Sequence, residues 1–150
     1  MGASDAGTLR IRVSALDVVA RAARMARPAE CCGALLGPPP EPGGNDADRV
    51  VYAAVPAPDA GARTGPATYW MGPDAVRWLE GRAAEAGLAV VGYYHSHPDT
   101  DATPSAADLR AAWPWYVYLI QPAGGTRAAA AWILDEECRG FRRMTIEALE

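Results

Sequence analysis

His95 and His97 are the only histidines in this 150-residue chain, and they stand one residue apart in the string His95-Ser96-His97-Pro98, with Ser105 and Asp108 shortly after. Any chemistry that needs imidazole must therefore happen here. Two neutral imidazoles and one carboxylate suit a first coordination shell for zinc. Three protein ligands leave a fourth position for water, which is what separates a catalytic zinc from a structural one.

An extended chain sends alternate side chains to the same side. His95 and His97 thus project together from a strand end while Ser96 points the other way. The strand that carries them is Leu88 to Tyr94 (LAVVGYY), the most strand-like run in the sequence. Pro98 ends it, and Asp99 to Pro104 reverses the chain. Ser105 then falls at a helix N-cap, which puts Asp108 in the first helical turn, facing back towards the imidazoles. Taken alone, Ser105 and Asp108 form the Ser-x-x-Asp pattern of a capping box. Asp99 and Asp101 are also near enough in sequence to be the third ligand, so spacing by itself leaves that choice open.

The remaining elements follow from periodicity and breakers. Residues 1–8 read as a loose tail. Leu9, Ile11 and Val13 alternate as a half-buried strand, and Ser14 with Asp17 has the pattern of a capping box opening a helix with Leu16, Val19, Ala20 and Ala23 inward, closed by Pro28. Cys31 to Leu36 reads as a buried strand. Gly37 to Asp48 reads as a surface loop between hairpin strands, and Arg49 to Val55 as the returning strand. Pro56 to Pro66 is a polar loop and Thr68 to Met71 a brief extended piece. Pro73-Asp74 opens a second helix with Val76, Leu79, Ala83 and Ala86 inward, ended by Gly87. After a third helix from Ser105, interrupted by Pro114, Trp115 to Gln121, Arg127 to Leu134 and Gly140 to Ile146 read as an antiparallel meander, with turns at Gly124-Gly125 and Asp135-Glu136. The expected fold is α/β (α+β): one domain over residues 9–150, with a mostly antiparallel mixed sheet flanked by about three helices.

Composition narrows the function. At 15.8 kDa, with half the residues hydrophobic and 21% charged, the chain is globular. A net charge of −4 argues against a nucleic-acid binder, and Arg139, Arg142 and Arg143 read as a solvated strand face. No run approaches a membrane span, and residues 1–9 lack the apolar core of a signal peptide. Cys31, Cys32 and Cys138 are odd in number and partly adjacent, which points away from a disulfide framework and towards a reducing, cytoplasmic setting. With both imidazoles committed to one place, none is left to activate a thiol, so Cys31 and Cys32 read as small buried hydrophobes. Trp113 to Tyr118 likewise reads as core and strand face.

The string His95-Ser96-His97-Pro98, six residues, Ser105-Ala106-Ala107-Asp108 resembles the signature of the JAMM metalloproteases, also called MPN+ or JAB1/MPN/Mov34 domains. Their upstream element, a Glu followed by small and apolar residues, is matched by Glu30-Cys31-Cys32-Gly33-Ala34-Leu35-Leu36-Gly37. The resemblance spans residues 9–146 in order of elements and implies a cytidine-deaminase-like architecture. It implies one catalytic Zn2+ held by His95, His97 and Asp108. It also implies Glu30 as general base towards the zinc-bound water and Ser105 as support for the tetrahedral oxyanion. Such enzymes cleave peptide or isopeptide bonds after the Gly-Gly tail of ubiquitin-like proteins. The short stretches Pro56 to Ala67 and Asp99 to Pro104 resemble the compact stand-alone bacterial type. That type implies a ubiquitin-like sulfur-carrier partner (ThiS/MoaD-like) whose tail pairs as an added strand beside Thr68 to Met71. A small-amide zinc hydrolase and a non-catalytic scaffold are the competing readings. Oligomeric state stays open.

Overall fold

Leu9 and Ile11 are fully buried while Arg10 and Arg12, each next in the chain, are exposed, the period of a strand with one face on a core. That strand, β1 (Thr8–Arg12), runs directly into helix α1 (Val13–Ala26). The computed structural model describes residues 6–39, 48–58, 71–124, 128–135 and 137–150. Beyond α1 come β2 (Cys32–Gly37), β3 (Arg49–Val51), β4 (Ala53–Pro56), α2 (Pro73–Glu85), β5 (Ala89–His97), α3 (Ala106–Ala111), β6 (Val117–Pro122), β7 (Ala130–Leu134) and β8 (Phe141–Leu149).

Among the described residues the strands form one eight-stranded sheet in the order β3-β1-β8-β7-β6-β5-β2-β4. Pairing is antiparallel at β4–β2, β2–β5, β6–β7 and β7–β8. It is parallel at β3–β1, β1–β8 and β5–β6. The mixed, mostly antiparallel sheet and the C-terminal meander expected from the sequence are therefore present.

The sheet is covered on both faces. Val19 and Ala23 of α1 pack with Leu35, Val91 and Tyr94 on one face. Leu79 and Ala83 of α2 pack with Ala34, Leu36 and Val90 on the other. Strand β2 lies between the two helices and is buried along its whole length, which is why it reads as a continuous apolar run. Strands β2, β4 and β5 come so close that a Cβ on Gly33 would strike both the Tyr94 ring and the Val55 carbonyl. A Cβ on Gly92 would meet Val117 on the other side of β5. Strand β5, which bears the histidines, is thus clamped between β2 and β6. The loop and α3 that connect it to its parallel neighbour β6 leave from its carboxyl end.

Several local expectations are corrected. Ser14 does not cap α1: the helix begins at Val13 behind an extended Arg12 that makes no side-chain cap bond. Pairing of Arg12 with Leu149 fixes it as the strand–helix junction, so Ser14 already lies inside the helix. Pairing also starts ahead of Leu9, since the Ala6 N–H donates to the Arg143 carbonyl. Arg49 to Val55 is not one strand. Tyr52 interrupts it, donating its N–H to the Leu36 carbonyl, and β3 pairs with β1 while β4 pairs with β2. Ala86 is exposed just beyond α2, whose stop at Gly87 has the expected positive φ of 71°. Strand β6 starts at Val117, after Trp115 with a φ of 79°, and Trp113 is 68% exposed rather than core. Most of the Gly37–Asp48 and Pro56–Pro66 loops, all of Thr68–Met71 but Met71, and Gly125 and Glu136 of the two turns lie outside the described residues.

Candidate metal centre

Antiparallel pairing sets Cys32 opposite His95 and Gly33 opposite Tyr94. The same register continues one step to Ser96, whose N–H donates to the Cys31 carbonyl at 3.1 Å. Glu30 comes directly before this pair, just outside β2, and its charge acts on His97. His95 and His97 lie on one face of β5, and Ser96 with Cys31 on the other, where Cys31 packs with the residues of α1.

The imidazoles converge. His95 Nε2 and His97 Nε2 are 3.2 Å apart. Asp108 meets both, with Oδ1 3.2 Å from His95 Nε2 and Oδ2 3.3 Å from His97 Nε2. His95 is 1%, His97 6% and Asp108 9% exposed, so the group is shielded from bulk water. Asp108 is brought there by its own helix start. Ser105 Oγ accepts the Asp108 N–H at 3.0 Å, and Asp108 Oδ2 accepts the Ser105 N–H at 2.8 Å, a reciprocal capping box. Capping and convergence on the imidazoles thus use the same carboxylate, and the Ser105 and Asp108 placements match the sequence reading. The rival candidates are elsewhere: Asp99 is exposed and 3.8 Å from Arg27, and the Asp101 carboxylate accepts the Thr103 N–H at 3.0 Å.

Three electrostatic consequences follow. Burial outweighs the Asp108 contacts at His95 and lowers its pKa. At His97 burial also works downward. Hydrogen bonds to Asp108 and to the Asp101 carbonyl, with the charges of Asp108 and Glu30, outweigh it, and the pKa is raised. Burial disfavours the Asp108 charge, but the bonds to His95 and His97 and the His95 charge overcome it and hold the carboxyl well below the usual carboxylate range.

These residues fit a divalent metal. Ligand atoms about 2.0–2.1 Å from a tetrahedral zinc lie roughly 3.3 Å apart, which the imidazole and carboxylate spacings match. His97 Nδ1 lies 2.7 Å from the Asp101 carbonyl, which claims the Nδ1 proton and leaves the Nε2 lone pair for a metal. The loop that presents this carbonyl is tied down by Trp132, whose Nε1–H donates to the Ala102 carbonyl at 2.9 Å. Among the described residues, His95, His97 and Asp108 are the group whose ligand atoms gather in this way.

Glu30 is half-buried, and its negative charge acts on both His97 and Cys31. Ser105 is exposed at the rim of the group. Cys31 and Cys32 are buried and form no disulfide, as expected of small hydrophobes, and burial pushes the Cys31 thiol pKa up. Sequence reasoning passed over Ser96, the Asp101 carbonyl and Trp132. For Ser96 a signal existed, since a hydroxyl that alternation sends into a core needs a partner there. For the Trp132–Ala102 contact there was none.

A β5–α3–β6 crossover that leaves a His-x-His pair facing a helix-start carboxylate defines a class of protein, and comparison with known proteins agrees. Residues 12–134 match the family of prokaryotic homologs of the JAB domain. The chain belongs to that family. It is 40% identical over 121 residues to a desampylase of Haloferax volcanii, covering 79% of this chain and 78% of the relative. A protein of Desulfitobacterium hafniense superposes with a TM-score of 0.78 at 25% identity, over 95% of this chain and 93% of its own. A protein of Salinibacter ruber gives 0.69 at 35% identity, over 94% and 92%. A JAB1/MPN domain protein of Archaeoglobus fulgidus, 19% identical, shares the fold with a TM-score of 0.57 over 94% and 99%.

Proposed function

We propose that this protein is a zinc-dependent peptidase or isopeptidase that cuts after the C-terminal Gly-Gly tail of a ubiquitin-like protein. The observation that carries the proposal is the triangle of His95, His97 and Asp108, with the charge of Glu30 acting on His97. Family membership and the 40% identity to a protein named desampylase support it.

His95, His97 and Asp108 would hold the ion. Zinc bound there supplies a Lewis acid for the scissile carbonyl and lowers the pKa of a water to about 7. The Glu30 carboxylate, whose charge reaches His97, would take one proton as the water oxygen bonds to the carbonyl carbon. It would return that proton to the nitrogen as the C–N bond breaks, leaving a carboxylic acid and an amine. Ser105 stands at the start of α3, where its hydroxyl supports the oxyanion of the tetrahedral species. The buried walls around the histidines favour a tail without side chains, which is what two glycines provide.

The short connection between β5 and α3 favours a compact partner, and a sulfur carrier of the ubiquitin-like fold meets that description. Cysteines that form no disulfide agree with a cytoplasmic setting. Among the described residues no helix is long and apolar enough to cross a membrane. The test is to incubate zinc-loaded protein with such a carrier extended beyond its Gly-Gly. A mass loss equal to the extension is expected; unchanged mass with metal bound would overturn the substrate assignment.

A further inference from the structure

Ser96 lies between the two histidines but points away from them. It is 0% exposed and sits on the α1 face of the sheet, so it touches neither a metal on the other face nor a substrate. Its backbone makes the last β5-to-β2 ladder bond, N–H to the Cys31 carbonyl at 3.1 Å. An antiparallel hydrogen-bonded pair normally exchanges two backbone bonds. Here the Cys31 N–H goes instead to Ser96 Oγ, at 2.8 Å. The two residues are thus joined by a ladder bond and by the Ser96 hydroxyl, which also bonds the Cys31 side chain, all next to Glu30.

On the other side of Glu30, the Ala29 N–H closes the end of α1 on the Ala26 carbonyl at 2.8 Å. Glu30 therefore lies between a helix end and the Ser96–Cys31 pair. Strand β2 is paired with β5 from Cys32 onward, and β5 is clamped by β2 and β6. The Ser96–Cys31 pair extends that tie to the residue next to Glu30.

We infer that Ser96 is a positioning residue: through the Cys31 amide it fixes the backbone next to Glu30 and so the Glu30 carboxylate near His97, which ties the base to the strand that carries the histidines. The inference rests on the reading of Glu30 as general base. It assigns the middle residue of the His-x-His pair a task distinct from metal binding, since an apolar residue there would leave the ligands in place but free the base. A buried N–H left without an acceptor is costly, so the Cys31 segment would shift to find one.

The test compares Ser96→Ala, Ser96→Val and Ser96→Thr. Threonine keeps the Oγ, and valine has threonine's volume without it, which covers the case in which alanine's cavity unfolds the chain. In zinc-loaded protein, alanine or valine should lower kcat about 10- to 100-fold with KM within about twofold and zinc stoichiometry unchanged. Threonine should stay within about threefold of the parent. In metal-free protein, the Cys31 amide should exchange with deuterium at least about tenfold faster in the alanine or valine variant, but not in threonine. In a Glu30→Gln background, removing the hydroxyl should cost nothing further. Unchanged kcat in alanine or valine would overturn the inference, as would a threonine variant as slow as valine or an additive loss in the Glu30→Gln background. Failure of the Glu30 reading shows separately, as full turnover by Glu30→Gln alone.

Discussion

Asp108 Oδ2 lies 2.8 Å from the Ser105 backbone nitrogen and 3.3 Å from His97 Nε2, so one carboxylate oxygen both closes a helix start and faces the metal group. The helix of only six residues is therefore not an accessory to the site. Its first turn carries one corner of the candidate metal group, and its capping energy helps to hold Asp108 against the imidazoles.

Asp108→Ala should consequently fail in two separable ways. Zinc binding should be lost, as read by metal content after dialysis. The metal-free protein should also lose about 1 kcal/mol from the broken cap, a fall in Tm of about 2–4 °C for a chain of this size. His95→Ala, which removes a ligand but no cap, should abolish zinc without that cap contribution, apart from its own packing cost. A Tm unchanged in metal-free Asp108→Ala would remove the capping half of the account.

Zinc affinity should fall with pH, in a direction set by His97. Its pKa in the metal-free protein is raised by Asp108, the Asp101 carbonyl and Glu30 against the pull of burial, whereas burial lowers that of His95. Both must be neutral to bind metal. Below the raised His97 pKa each bound zinc must displace a proton, so affinity should drop about tenfold per pH unit. Above it the dependence on His97 flattens. Competition with a chromophoric chelator across pH, corrected for the chelator's own protonation, reads the slope.

Much of this site is legible in the sequence because its logic is local. Alternation alone puts His95 and His97 together, and Ser105-x-x-Asp108 is a helix start whatever else it does. What is not local is not legible. The nearness of Glu30 to His97 depends on how β2 meets β5, which no nearby residue specifies. The split of Arg49–Val55 at Tyr52 has the same cause, because β3 takes a partner, β1, far back in the chain. Ser14 misleads because the pairing of Arg12 with Leu149 starts the helix before the cap pattern can act. Only the resemblance to a known family singled out Glu30.

Neither Cys31 nor Cys32 should prove necessary for the chemistry. Cys32 stands opposite His95 in the register, yet both thiols are buried and neither forms a disulfide. Cys31→Ala and Cys32→Ala should each keep turnover within about threefold while losing about 1 kcal/mol of stability by denaturant unfolding. A hundredfold fall in kcat at full zinc loading in either variant would reopen a thiol role.

Tight packing beside the site predicts a stability effect at a position with no chemistry. Gly33→Ala sets a methyl against the Val55 carbonyl and the Tyr94 ring, one residue from His95. Backbone cannot yield as a side-chain end can, so the cost should be about 1–3 kcal/mol by denaturant unfolding. A neutral Gly33→Ala would mean that β4 is free to move away from β2.

The division of labour between Glu30 and the three ligands is the centre of the account, and turnover by fully zinc-loaded Glu30→Gln tests it most directly. The prediction is one zinc per chain and cleavage slower by about 10²–10⁴, the contribution expected of a general base. Cleavage at the parent rate with zinc in place, or loss of the zinc itself, would contradict it.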